Sequence, residues 1–154
     1  IPSISWKSRH VNFDSIPPAA DYLNYGKALL LCCKGDGVIA EGERAFVVGY
    51  FAAFGCPDDV LDTLSVYSGE GDLKSIVGSS PQLQMTSKAA IYDSIRACDA
   101  DGKLADGEIN VIKEIAAMVN VSTSEVDDII AIYRAEQAVK ETRLQITYPN
   151  GSPY

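Results

Sequence analysis

Histidine is nearly absent from this chain: His10 is the only one among 154 residues. A catalytic centre built on several imidazoles is therefore excluded within one chain, and a cysteine–histidine pair would have to recruit His10 from the opening segment. Basic charge is also scarce. Thirteen Lys and Arg oppose 21 Asp and Glu, giving a formal net charge of −8 and an isoelectric point near 4.5. Such a field repels phosphate backbones and anionic lipid heads and collects cations, basic peptides or basic proteins, so a protein partner is expected and nucleic acid is not. Long apolar runs are missing as well: no stretch approaches the roughly 18 residues a spanning helix needs. The opening residues, Ile1 to Trp6, lack the pattern of an export signal, and the expected location is cytoplasmic. The four cysteines, Cys32, Cys33, Cys56 and Cys98, form no C-x-x-C pair, which argues against a thiol-rich structural metal site. They are expected to serve as small buried hydrophobes in reduced surroundings.

Against these absences, 47% of the residues are hydrophobic and 22% charged, an ordinary globular balance. One domain spanning residues 1–154 can bury roughly two-thirds of its unfolded surface. The apolar spacing is helical. Tyr22, Gly26, Leu29, Leu30 and Cys33 recur at three- and four-residue steps, as do Phe46, Val47, Tyr50, Phe51 and Phe54, whose rings are spaced as core. Helices are predicted from Ala19 to Lys34 and from Glu41 to Phe54, then from Asp58 with Val60, Leu61 and Leu64, and a short one over Leu73 to Val77. Thr86 or Ser87 is placed to cap a further helix carrying Ile91, Ser94, Ile95 and Cys98. Ile109, Ile112, Ala116 and Val119 make another stripe, and Ser122 with Glu125 forms a capping box before a helix reaching toward Arg143. Residues 1–16 permit an extended arm, and Leu144 to Tyr148 alternates as a strand would, so a small pairing of the two ends is expected.

The informative feature is a repeat. Asp36-Gly37 with Ile39, Ala40 and Glu43 recurs 65 residues later as Asp101-Gly102 with Leu104, Ala105 and Glu108. At the same offset, Leu30 and Cys33 match Ile95 and Cys98, while Leu61 and Leu64 match Val126 and Ile129. Matching loops between matching stripes imply two similar helical units related by an approximate twofold axis. The expected fold is all-α: an internally duplicated bundle of six to eight helices. Unit 1 covers about 19–67, a connector about 68–85, unit 2 about 86–136, and a C-terminal tail 144–154.

In each loop an aspartate precedes a glycine able to take positive φ, an apolar residue points inward, and a glutamate follows seven residues after the aspartate. Set beside a calcium EF-hand, Asp101, Gly102, Leu104 and Glu108 fall at an acidic ligand, the turn glycine, the inward apolar residue and the closing glutamate, with Asp99 as a further acid. The opening ligand position is Ala97 in the second loop and Cys32 in the first, where Lys34 also replaces an acid. Two or three carboxylates do not fill a calcium shell of about six to eight oxygens, so a tight EF-hand site is not expected. Three readings stay open. The acids can simply close turns and begin helices; Asp99, Asp101 and Glu108 can form a weak hard-cation site; or the two loops can pool Asp36, Glu43, Asp101 and Glu108 into one cluster.

The paired D-G-x-[IL]-A-x-x-E loops between helices, over about Tyr22 to Glu136, resemble the TerB family of tellurite-resistance proteins. That resemblance implies an internally duplicated, all-helical cytoplasmic scaffold or sensor in tellurite or stress resistance, rather than an enzyme. It also implies metal ligands at Asp36 and Glu43 in the first loop and at Asp101 and Glu108 in the second; the reading of the second loop itself adds Asp99 to these candidates, and the divalent cation, calcium, magnesium or zinc, is left open. Lys34 departs from an acidic position, and its ammonium group is placed to neutralise the first loop. A homodimer is compatible with such a module. The alternatives are a weak EF-hand-like calcium-responsive switch and a hydrolase using paired carboxylates. The stretch Gly69 to Ser75 lacks the adjacent glycine and lysine of a phosphate loop and is read as a linker.

Overall fold

A computed structural model describes residues 19–151, which form eight α-helices and two short 3-10 turns, with no strand among the described residues. Helix α1 spans Ala19–Cys33 and runs into the first turn, Lys34–Asp36. Helices α2 (Glu41–Ala53) and α3 (Asp58–Val66) follow, then two short helices, α4 (Leu73–Gly78) and α5 (Pro81–Met85). Helix α6 (Ser87–Cys98) leads into the second turn, Asp99–Asp101, and α7 (Asp106–Met118) and α8 (Thr123–Thr147) complete the chain.

The core is organised around α1 and α6. Tyr22, Leu29, Leu30 and Cys33 bury the predicted stripe of α1, and Ile91, Ile95 and Cys98 bury that of α6. Helix α1 packs on α6, α2, α3 and α4, while α6 also receives α7 and α8. Gly26 explains how closely α1 approaches its neighbours: a Cβ there would lie 2.6 Å from Leu64 of α3 and 2.8 Å from Phe51 of α2. Of the four predicted core aromatics, Phe51 of α2 and Phe54 just after it are buried, whereas Phe46 and Tyr50 of α2 are half-buried and flank Arg96, whose guanidinium lies 5.1 Å from each ring centroid.

The helix starts follow local chemistry. Asp72 caps α4 by accepting the Ser75 N–H at 2.8 Å, and Ser80 caps α5 through the Leu83 N–H at 3.2 Å, with Pro81 in the first turn. The α8 capping box forms as predicted: Ser122 Oγ accepts the Glu125 N–H at 3.2 Å, and Glu125 Oε2 accepts the Ser122 N–H at 2.8 Å. Thr86 does not cap α6, because its hydroxyl donates backward to the Gln82 carbonyl at 2.9 Å. The strand expected over Leu144 to Tyr148 is corrected: α8 continues through Thr147, and the Tyr148 N–H still donates to the Leu144 carbonyl at 2.8 Å. Five alternating residues do not outweigh a helix already propagating through them without a breaker before Pro149. The expected N-terminal arm lies outside the described residues.

Candidate functional site

The two Asp-Gly loops have the same local geometry. Each parent helix ends in a 3-10 turn closed by a left-handed glycine, Gly37 at φ 108° and Gly102 at φ 87°. Asp36 Oδ1 accepts the Val38 N–H at 3.2 Å, and Asp101 Oδ1 accepts the Lys103 N–H at 2.9 Å, so each aspartate bends back on its own turn. The next helix then starts at an alanine with no side-chain acceptor to give. Glu43 Oε2 instead accepts the Ala40 N–H at 2.7 Å, and Glu108 Oε2 accepts the Ala105 N–H at 2.6 Å. These are the glutamate halves of a capping box, set on the positive end of the helix dipole.

Packing of α1 on α6 brings the loops together. Their last residues touch where Cys98 Sγ lies 4.0 Å from Cys33 Sγ, and both thiols are fully buried. Burial also pushes the Cys32 thiol far above its ordinary range. Just beyond it the turns cross over. The first turn sits on the start of α7 and the second on the start of α2. At the first crossing two glycine backbones meet: a Cβ on Gly107 would lie 2.2 Å from the Gly35 carbonyl oxygen, and one on Gly35 would lie 2.5 Å from that of Gly107. The second crossing is looser, since a Cβ on Gly42 would reach the Ala100 carbonyl oxygen at 3.4 Å.

Glu43 and Glu108 meet at the centre of this crossing, 2% and 1% exposed. Burial and a hydrogen bond to Glu108 push the Glu43 carboxyl up to about 8. Burial raises Glu108 too, while the hydrogen bond it accepts from Glu43 works in the opposite sense. Two buried carboxyls this close do not both ionise cheaply, which favours the protonated form of Glu43. Among the described residues neither glutamate forms an ion pair.

Of the five acids singled out in the sequence, the structure thus joins Glu43 and Glu108 directly. Asp36 and Asp101 are exposed nearby; both act electrostatically on Glu108, and Asp101 also acts on Glu43. Asp99 is held elsewhere, its Oδ2 accepting the Tyr133 hydroxyl of α8 at 2.8 Å. Among the described residues no three acidic, thiol or imidazole groups converge on one point. Lys34 Nζ donates to the Ser68 carbonyl at 2.8 Å and to that of Gly69 at 3.3 Å, pinning the segment after α3.

Sequence reasoning missed Gly35 and Gly107, which allow the crossing, although the repeated acid-Gly-Glu at 41–43 and 106–108 carried a signal for the second of them. It also missed Asp93, which is buried on α6 and accepts from the Tyr25 hydroxyl at 2.8 Å and the Tyr50 hydroxyl at 3.3 Å.

No protein-family model and no curated protein sequence matches the chain. Among solved structures it is similar to a tellurite resistance protein from Nostoc punctiforme, with a TM-score of 0.84 and 31% sequence identity. That similarity covers 99% of this chain and 95% of the other. The resemblance carried by the two loops therefore extends to the whole fold, and this chain belongs to the TerB-like family of tellurite-resistance proteins.

Proposed function

We propose that this protein is a non-enzymatic module of tellurite or stress resistance, a scaffold or sensor that works through its pair of crossed acidic loops. The observation that carries this reading is the pairing of Glu43 with Glu108: two buried glutamates, one from each loop, come together where the loops cross, and burial with the bond to Glu108 favours a proton on Glu43. A divalent cation can take the place of that proton, held by the two glutamates with Asp36 and Asp101 at the rim and water completing its shell. An all-oxygen donor set suits calcium or magnesium better than zinc. The outer acids, in a chain of net charge −8, offer a docking face to a basic protein partner. Burial of both glutamates supports binding over hydrolysis, because a substrate has no approach to them.

The test is native mass spectrometry of protein purified without chelator, together with thermal melts across calcium and magnesium titrations. One cation per chain and a rising Tm are expected, with both effects lost in the Glu43→Gln, Glu108→Gln double variant. A wild-type chain that carries no cation and melts unchanged up to about 10 mM of either metal overturns the cation part of the proposal.

A further inference from the structure

Helix α8 buries Val126, Ile130 and Tyr133 against the bundle and then runs on to Thr147 with no further buried residue. Its opposite side is apolar. Ile132, Val139 and Ile146 are 56%, 70% and 75% exposed, three of the seven large apolar residues exposed among those described. Ala135 and Thr142, also exposed, fill the positions between them. The series 132, 135, 139, 142, 146 alternates steps of three and four residues, which is the spacing of a seam between two paired helices. At about 3.6 residues per turn this seam lies across the helix from Val126, Ile130 and Tyr133, so it is no part of the core. Exposed apolar residues scattered singly are ordinary, whereas a line of them at this period is a contact surface.

Charge along the seam identifies the occupant and its direction. Glu136 and Arg143 flank one edge, and the uncharged Ala138 and Gln145 flank the other. Glu136 Oε2 accepts the Tyr92 hydroxyl of α6, which holds the carboxylate in place, and among the described residues Arg143 has no ion-pair partner. Two copies of α8 laid antiparallel, with Val139 facing Thr142 of the second copy, also set the large Ile146 against the small Ala135. The same register puts each Glu136 beside Arg143 of the second copy, once on either side of the twofold axis. A parallel register would set Glu136 and Arg143 opposite Ala131 and Ala138 and gain no charge pair.

We propose that the exposed seam of α8 pairs with the seam of a second copy of this chain, the two helices running antiparallel in a twofold dimer. The seam spans only about 20 Å of helix, so the dimer is a weak one, with Kd on the order of tens of micromolar. It lies on a different helix from the acidic loops and does not depend on their binding a metal.

The experiment is sedimentation of the full chain across about 5 µM to about 1 mM, a range that brackets this affinity. The mass is expected to rise from 16.5 kDa toward twice that value. Arg143→Glu sets like charges together at both ends of the seam and should weaken the dimer about tenfold, and adding Glu136→Arg to it should restore most of the loss. Both positions are exposed, so the fold should survive either change. Direction is read by mild oxidation of cysteine variants, because the four native thiols are all buried. Ala135→Cys and Ile146→Cys chains should cross-link when mixed but not when each is oxidised alone, since like positions lie about three helical turns apart in the antiparallel pair. A chain that stays monomeric at about 1 mM, an Arg143→Glu chain that dimerises as tightly as wild type, or an Ile146→Cys chain that cross-links to itself would each overturn the proposal.

Discussion

Gly107 shows how one missing side chain governs the site. Its backbone lies so near Gly35 that an added methyl group would sit 2.2 Å from a carbonyl oxygen, and neither partner is a flexible side-chain end that could swing away. Gly107→Ala is therefore expected to cost about 3 kcal/mol or more, read from urea unfolding, because the crossing itself must shift. Gly49 provides the contrast. It lies inside α2, exposed, with nothing within 4 Å of the place a methyl group would take, so Gly49→Ala should stabilise the fold by roughly 0.8 kcal/mol through helix propensity. Equal effects at the two glycines would mean that the close approach of the loops is not real. Asp93 is informative in another way: removing its carboxylate orphans the buried Tyr25 hydroxyl, and Asp93→Ala should cost about 3 kcal/mol by the same measurement.

Among the helices, α8 combines the most legible start with the least legible end. Ser122 and Glu125 satisfy each other's backbone N–H groups, and Ser122→Ala should lower stability by about 1 kcal/mol in thermal or chemical melts. An unchanged melt would show that tertiary packing of Val126, Ile130 and Tyr133 alone holds this helix start. The far end misleads because Leu144 to Tyr148 alternates over only five residues, too few to separate a strand from an exposed last helical turn. The two short helices α4 and α5 divide in the same way. Leu73 to Val77 is recognisable from its apolar spacing, whereas Pro81–Met85 is a single turn whose start depends on the hydroxyl of Ser80, buried against Asp21.

For the molecule as a whole, the raised proton affinity of Glu43 makes stability depend on pH. A glutamate ordinarily titrates near 4.5, and in this fold Glu43 is pushed up to about 8 by burial and its bond to Glu108. The folded state therefore binds the proton more tightly than the unfolded chain does. This contribution is complete below about 4.5, declines as pH rises toward about 8, and is gone above that. Tm should fall across this window in the wild type. Burial raises Asp93 in the same sense, so part of the slope remains in any variant that keeps it. Glu43→Gln supplies a permanent N–H donor and should flatten the profile between about pH 5 and about pH 8, within about half a unit at each edge. An undiminished slope in Glu43→Gln would show that Glu43 has no raised proton affinity.

Helix content, the Asp-Gly turns and the glutamates that follow them could be read from the chain because each is a local matter. Apolar spacing sets a helical face, a glycine beside an aspartate permits the left-handed bend, and a carboxylate at the third helical position reaches its own preceding N–H. What Glu43 does with Glu108 could not be read, because residues 65 apart meet only when α1 lies on α6 and two backbones pass with no side chain between them. Lys34 reaching Ser68 and Asp99 turning to Tyr133 arise in the same way. Burial, and the proton affinity that follows from it, belongs to the packed arrangement of helices and to no stretch of the chain taken alone.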